Sequence, residues 1–314
     1  MAKGVVTLTP EGRRFETAFA MMDPAHCLAG GLFRSLAKGQ QAKEKLKCWY
    51  GDGVSAKEGG NGFEFVGPDP LGPLDLRLLQ VVAAFAGKNG KPLPRKPETE
   101  DGKRLRAVVE AGRDETSDPG DEHLCMRMSY YALAREMGRD PDSQETYKRI
   151  RASIERMGNV TIWRQERIPD PKREGGFKAF PRRKKYGSIL NEVETDGTDG
   201  TVMVSVNPLL SGVFLSAARY TTIELAEARV LSDPGVLIHL RLCAGVNKGN
   251  NWTFSVDTLA SYAWPDETEN ESTLKTRRRK VHLVLEELAA LGWEVVETTP
   301  KNFKISRPSR KDAA

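Results

Sequence analysis

A run of positive charge followed by regularly spaced apolar residues is the clearest chemical signal in this sequence. Five of the six residues from Lys275 to Lys280 are Lys or Arg. At helical spacing the following apolar residues share one face: Leu274, Val281, Leu285 and Leu288. The opposite side of the same helix carries Lys275, Thr276 and Arg279. Such a helix packs its apolar side on a protein core and presents its cationic side to a polyanion.

The segment before this helix, SVDTLASYAW, predicts a second amphipathic helix. Two helices joined by a turn are typical of a helix-turn-helix, whose second helix enters the major groove of DNA. The alternative for an isolated basic run is a charged helix that is simply solvated.

A similar order occurs earlier in the chain. The segments SYYALAREMG and SQETYKRIRASIERM predict two helices joined by a turn, and NVTIWRQE predicts a strand. A basic linker through Arg182–Lys185 follows, and then strands near 186–193 and 201–206. This is the order of a winged helix: helix, turn, helix, strand, basic loop and strand. Because the order occurs twice, a merely solvated helix is a weaker explanation of the basic run.

Short sequence matches relate the two regions. Ser129-x-x-x-Leu133-Ala134 corresponds to Ser255-x-x-x-Leu259-Ala260, and Ile154 before Gly158 corresponds to Leu288 before Gly292. The predicted fold class is therefore α+β, with two tandem winged-helix domains related by internal duplication. The predicted boundaries are an N-terminal extension at 1–22, a first domain with long loops at 23–206 and a second domain at 207–314.

Other patterns predict the elements around these regions. Apolar spacing predicts a helix over residues 69–87 that Gly87 ends. KLKCWYGDG and GFEFVG predict two strands, and most of 88–122 predicts a loop with a short helix near 103–110. Residues 15–22 fit either a packed helix or an extension of the chain.

Composition limits the class of protein. The chain has 314 residues, 39% of them apolar and 29% charged, with a net charge of +5, as in globular proteins long enough for two domains. No apolar stretch reaches membrane-spanning length, and residues 1–22 lack the order of a signal peptide. The four cysteines lie far apart in sequence, which predicts reduced thiols in a bacterial cytoplasm.

The sequence contains no recognisable motif for catalysis. Gly87-Lys88-Asn89-Gly90-Lys91 lacks the spacing and the hydroxyl of a phosphate-binding loop. The four histidines are isolated, and no cluster of carboxylates predicts a metal-dependent polymerase or nuclease. The tryptophans fit core positions better than base-stacking ones. We therefore expect a binding protein rather than an enzyme, without a metal or other cofactor.

Six blocks of sequence resemble the RepC replication initiators of IncQ-type plasmids. In order they are DPAHCLAGGLFRSLAKG, FEFVGPDPLGPLDLRLLQ, VNPLL, SVDTLASYAWP, LKTRRRKVHLVLEELAALGWEV and ISRP. The resemblance runs from about Asp23 to Pro308. Residues 1–22 and the linker near 166–185 are longer than the family pattern.

This resemblance implies a protein that binds the double-stranded direct repeats (iterons) of a plasmid origin and promotes melting beside them. It further implies that the plasmid-encoded helicase RepA and primase RepB are brought to the opened strands. The family is similar to other iteron initiators, some of which are held inactive as homodimers and bind iterons as monomers. The main alternative function is a tandem winged-helix transcription regulator that represses its own operon, which has the same predicted fold and charge. An alternative of another class is a nucleic-acid enzyme such as a primase.

The candidate DNA-binding residues come from both predicted units. Those proposed to read bases are Gln144, Thr146, Lys148, Arg149 and Arg151 in the first, and Lys275, Thr276, Arg278 and Arg279 in the second. Arg277 and Lys280 are expected nearer the DNA backbone, and the phosphate contacts are assigned to Arg182, Arg183, Lys184, Lys185, Lys301 and Asn302. A dimer surface is predicted on the helix around Leu74–Phe85 and the strands near Cys48 and Phe63.

Overall fold

The structure of the chain, a computed structural model, is a mixture of helices and several small sheets. It describes residues 7–8, 14–36, 45–52, 60–93, 96–110, 123–172, 176–178, 181–196, 200–215, 219–266, 268 and 270–309. The predicted acidic loop after residue 110 lies outside the described residues as far as residue 122. No helix in the described ranges combines the length and apolar character needed to cross a bilayer.

The helices and strands follow in order along an N-terminal stretch, which ends at Ser188, and a C-terminal stretch from Leu190. The first contains β1 (Thr7–Leu8), β2 (Arg14–Phe15), β3 (Phe19–Met22), α1 (Pro24–Leu28), β4 (Leu46–Gly51), β5 (Gly62–Gly67), α2 (Pro73–Asn89), β6 (Lys91–Leu93), α3 (Glu100–Glu110), β7 (His123–Ser129), α4 (Tyr130–Glu136), α5 (Gln144–Gly158), β8 (Thr161–Glu166) and β9 (Arg182–Ser188). The second contains β10 (Leu190–Asp196), β11 (Thr201–Val206), α6 (Pro208–Leu215), β12 (Thr221–Glu224), α7 (Leu225–Val230), α8 (Asp233–Gly245), β13 (Asn251–Ser255), α9 (Val256–Ala263), α10 (Glu271–Ala290), β14 (Glu294–Thr299) and β15 (Asn302–Ser306).

The strands pair antiparallel in small sheets. Their spatial orders are β1-β2, β12-β3, β10-β11-β7-β6, β4-β5-β8-β9 and β13-β15-β14. Apart from the β1–β2 pair, each sheet contributes residues to one large apolar cluster that also takes in residues from α2, α5, α8 and α10. A second, small cluster joins Leu93, Val109 and Cys125. The sheets therefore share a core with the helices.

Helix α2 is buried on all sides. Pro73 begins it, and the Asp75 carboxylate accepts a hydrogen bond from the Gly72 N–H at 2.7 Å. Residues 75–86 are buried throughout. This helix thus offers no exposed apolar face to a second copy of the chain in this conformation, and that part of the predicted dimer surface is wrong. The homodimer itself stays a prediction.

Gly87 does not end α2, contrary to the sequence prediction, because the helix continues to Asn89. A Cβ atom at position 87 would lie 2.8 Å from the Phe214 ring. The glycine therefore serves close packing against α6 rather than termination. A glycine inside a helical pattern is compatible with either role, so the sequence alone did not separate them.

The helix, turn, helix, strand and strand order occurs twice, as α4-α5-β8-β9 and as α9-α10-β14-β15. Ser129 and Ser255 have the same role in both, since each side chain accepts a hydrogen bond from the N–H three residues later and so caps the first helix. Leu133 and Leu259 are both fully buried. The short sequence match thus corresponds to equivalent local structure.

The sheets around these two units differ. In the second unit, β13 pairs with β15 and so joins the strand before the helices to the hairpin after them. In the first unit, β7 pairs with β6 and β11, whereas β8 and β9 belong to another sheet next to β5. The similarity of the two units is therefore local and does not extend to their sheets.

Two segments differ from their predicted conformations. The run Arg182–Lys185, predicted as a linker, lies in β9 and pairs with β8. Of the residues expected in either a helix or an extension, Phe19–Met22 form the strand β3. This strand pairs with β12 over Phe19–Glu224 to Met22–Thr221. The N-terminal segment is thus attached to a strand from the predicted second domain, while the boundaries at 22 and 206 stay predictions.

Candidate nucleic-acid interface

Helix α10 has the two faces that the sequence predicts. The Asn270 side chain accepts a hydrogen bond from the Thr273 N–H at 3.0 Å and caps the helix. Val281, Val284, Leu285 and Leu288 are buried against the core. The side chains exposed on the other side are Lys275, Thr276, Arg279 and Lys280. The helix therefore presents a cationic surface to solvent.

Two arginines of the basic run make contacts within the protein. Arg278 donates to both carboxylate oxygens of Asp257 in α9, at 2.7 and 2.9 Å. This pairing lowers the pKa of the Asp257 carboxyl, because the hydrogen-bonded guanidinium favours its charged form. Arg277 donates to the Asp266 carbonyl oxygen at 2.8 Å, in the turn before α10. Both arginines hold α10 against its neighbours.

The angular position of each residue on α10 explains this division. At about 100° per residue, Arg277 lies within the sector of the buried residues and Arg278 at its edge, while Thr276 and Arg279 lie on the far side. Charge alone did not separate these roles in the sequence, but the helical angle does. Arg278, predicted to read bases, is thus already paired with a carboxylate, whereas Arg279 is oriented toward solvent.

The turn between α9 and α10 is also hydrogen-bonded to a segment far away in sequence, and the sequence did not predict this contact. Arg34 donates to the Asp266 carboxylate at 2.9 Å, and the Ser35 N–H donates to the Ala263 carbonyl oxygen at 2.7 Å. The Arg34 N–H binds the Leu71 carbonyl oxygen, just before α2. The orientation of α10 is thereby linked to the first half of the chain. No local pattern marks contacts between such distant residues.

Helix α5 exposes a similar but less basic surface. The Ser143 hydroxyl accepts a hydrogen bond from the Thr146 N–H at 3.3 Å and caps the helix. Arg149 is paired with Glu145 one turn earlier, at 3.0 Å. Of the predicted residues, Thr146 is half-buried, and those exposed are Gln144, Lys148, Arg149 and Arg151.

The basic residues of β9 differ in their surroundings. The guanidinium carbon of Arg183 lies 4.3 Å from the centre of the Trp163 ring, and Arg183 is also paired with the buried Glu64. Arg183 is therefore held on its own sheet. Lys184 and Lys185 are half-buried, and Arg182 is exposed at the start of the strand.

The turn between β14 and β15 has a fixed conformation. Lys301 has a φ of 68°, its N–H donates to Glu297, and its carbonyl oxygen accepts from the Val256 N–H at the start of α9. The Asn302 amide donates to Thr299 at 3.0 Å. Lys301 is thus an exposed cation on a turn held against the second unit.

The structure places the histidines and cysteines apart from this surface, with one exception. His26, His123 and His239 are buried, whereas His282 on α10 is exposed and its ring centre lies 5.5 Å from that of Phe303. All four cysteines are buried and free, and burial raises the pKa of Cys48 to about 12. Among the described residues no group of three His, Cys, Asp or Glu side chains is placed to hold a metal ion.

Comparisons with known proteins give one family and one fold. The sequence model of the replication protein C (RepC) family matches residues 14–309. No curated protein matches the chain. The crystal structure of selenomethionine derivatives of domains 2 and 3 of RctB has a TM-score of 0.50 at 11% identity, and the match covers 91% of this chain and 98% of that one. A second crystal structure of RctB domains 2–3 has a TM-score of 0.48 at 12% identity, covering 90% and 95%. At such identity the first likeness concerns the fold alone.

Proposed function

The chain belongs to the replication protein C (RepC) family, and from this membership we propose that it initiates replication by binding the iterons of a plasmid origin. In this proposal residues 23–206 and 207–314 are tandem winged-helix units, and residues 1–22 are an N-terminal extension. Each unit places one helix, α5 or α10, in the major groove of double-stranded DNA.

One observation supports this function most strongly. The exposed cationic side of α10 lies opposite its buried apolar side, and the turn before the helix is held by Arg34 and Asp266. A helix fixed in this way keeps its orientation when DNA approaches. Because the backbone of α10 is already fixed, less conformational freedom is lost on binding, which favours affinity.

The proposed contacts divide by chemistry. Side chains that face away from the core are assigned to base edges, and cations on strands and turns are assigned to phosphates, which set register without reading sequence. The base-edge group is Gln144, Lys148, Arg149, Arg151, Lys275, Thr276 and Arg279. Thr146, which is half-buried on the core side of α5, is assigned to positioning this helix. The phosphate group is Arg182, Lys184, Lys185, Lys280, Lys301 and Asn302. Arg183, Arg277 and Arg278 are assigned to positioning these elements.

Opening of the DNA follows in the proposed sequence of events. Binding to the repeats promotes melting of an adjacent AT-rich segment, and the helicase RepA and primase RepB then enter the opened strands. The chain acts here by binding and by exchanging partners, including a second copy of itself, and not by catalysis.

A two-stage experiment tests this function. The purified chain first selects duplexes from a random-sequence library, and we expect one preferred motif; selection of no motif contradicts the proposal. A plasmid origin that carries direct repeats of that motif is then treated with permanganate in the presence of the chain. Reactive thymines beside the repeats support initiation, whereas a bound but intact duplex supports a transcription regulator instead.

Neutralising β9 is expected to weaken binding to all duplexes alike. The change is Lys184→Gln with Lys185→Gln, and a salt titration should show a binding slope flatter by about 0.9 for each phosphate that the variant no longer neutralises. Lys88→Gln is the matched control, because Lys88 is exposed at the end of α2 and pairs with Glu16. If the β9 variant has the same slope as the control, its lysines do not contact phosphate.

A further inference from the structure

Leu283 is an exposed apolar residue on the side of α10 that faces away from the protein. Its side chain is 48% exposed. Single exposed leucines are common on protein surfaces and need no special explanation. The position of this one is distinctive, because α10 has a buried face of its own that already contains Val281, Val284, Leu285 and Leu288.

The helical angle of Leu283 places it with the residues proposed to meet DNA. At about 100° per residue, Ser272, Thr276, Arg279 and Leu283 fall within a sector of about 60°, centred opposite the buried face. The first three are polar or cationic, and all four are exposed. Leu283 is thus the apolar residue that follows these three along the outer side of the helix, and we call the four residues the α10 outer line.

The neighbouring side chains fix the local structure around this line. The Thr276 hydroxyl donates to the Ser272 carbonyl oxygen at 2.9 Å. The ring of His282 packs edge-on against Phe303 of β15, with centroids 5.5 Å apart. The turn that carries Leu283 is therefore packed against the β14–β15 hairpin, and its backbone is held in place beside the exposed side chain.

The first unit provides an internal comparison. By the correspondence of Ile154 with Leu288, the α5 residue that matches Leu283 is Arg149. Arg149 is exposed and paired with Glu145. The position is thus charged in α5 and apolar in α10, so the two helices differ in chemistry there.

The major groove offers one apolar group, the 5-methyl of thymine. Resting on the function proposed above, we propose that Leu283 is a specificity-determining residue that packs on the methyl group of a thymine at one end of the stretch that α10 reads. The outer line rises about 1.5 Å per residue, so its ends are about 16 Å apart and Leu283 contacts a different base pair from Ser272.

Replacement of thymine by uracil tests this contact, since it removes the methyl group and leaves base pairing unchanged. The probe is the duplex selected by the full-length chain, with each thymine replaced singly by uracil. For the natural chain, one replacement is expected to weaken binding about fourfold, equivalent to about 0.8 kcal/mol for one buried methyl group. Leu283→Ala is expected to bind the unmodified duplex less tightly and to lose sensitivity at that position alone.

Two further variants complete the experiment. Leu283→Met keeps an apolar side chain and should retain the sensitivity to uracil. Val230→Ala removes another exposed apolar side chain, 66% exposed on α7, and should behave as the natural chain. If the uracil scans of the natural chain and Leu283→Ala superimpose while both keep the selected motif, the Leu283 assignment is overturned and the proposed function stands. Absence of any selected motif instead contradicts the proposed function.

Discussion

Replacing Arg279 with alanine is expected to weaken binding to the selected repeat duplex and to relax the preference at one base position. An exposed arginine on a helix in the major groove pairs with guanine through two hydrogen bonds, worth about 1–3 kcal/mol of discrimination. This corresponds to a loss of about 5-fold to 150-fold. Binding to a set of duplexes with single base-pair substitutions, measured by fluorescence anisotropy at constant salt, gives the result.

Two other variants separate base reading from charge and from helix position. Arg279→Lys keeps the charge but removes the planar fork of donors, so most of the discrimination should disappear with it. Arg278→Ala breaks the pair with Asp257 and should weaken binding to all sequences without relaxing any one position. If Arg279→Ala has the same affinity for every substituted duplex as the natural chain, Arg279 does not read a base.

Local spacing in the sequence was enough to predict the helices that carry the candidate interface. The buried positions of α10 and α5 recur every three or four residues, and their exposed sides follow from the same period. The matching serines before α4 and α9 also have a local cause, since each caps its helix through a residue three positions away. Such features depend on neighbours in sequence.

Contacts between distant segments were not predictable in this way. The pairing of β3 with β12 joins residues near the beginning of the chain to residues near 221–224. Arg34 and Asp266 are similarly distant, and each is an ordinary charged residue in its own context. Periodicity tells which side of an element is buried but not which segment covers it. For the same reason, the basic run of β9 was predicted as a linker. Trp163 and Glu64, which contact Arg183 of this run, lie on other strands.

A buried ion pair joins the N-terminal segment to both halves of the fold. The Glu136 carboxylate, on α4, is fully buried and accepts hydrogen bonds from the N–H and hydroxyl of Thr17 at 3.1 and 2.6 Å. It also pairs with Arg229 of α7 at 3.0 Å. The Arg229 guanidinium stacks on the Phe15 ring, 3.8 Å from its centre. Burial lowers the pKa of Arg229, and Glu136 opposes this effect.

Glu136→Ala is accordingly expected to lower the free energy of unfolding by about 3–5 kcal/mol, because it leaves the buried Arg229 without its carboxylate. Urea unfolding followed by tryptophan fluorescence measures the change. Glu145→Ala is the matched control: it breaks the exposed Glu145–Arg149 pair on α5, which contributes at most about 0.5 kcal/mol. Equal urea midpoints for the two variants would contradict the prediction. Glu136→Leu combined with Arg229→Met should recover part of the stability, since no unpaired charge then remains in the interior.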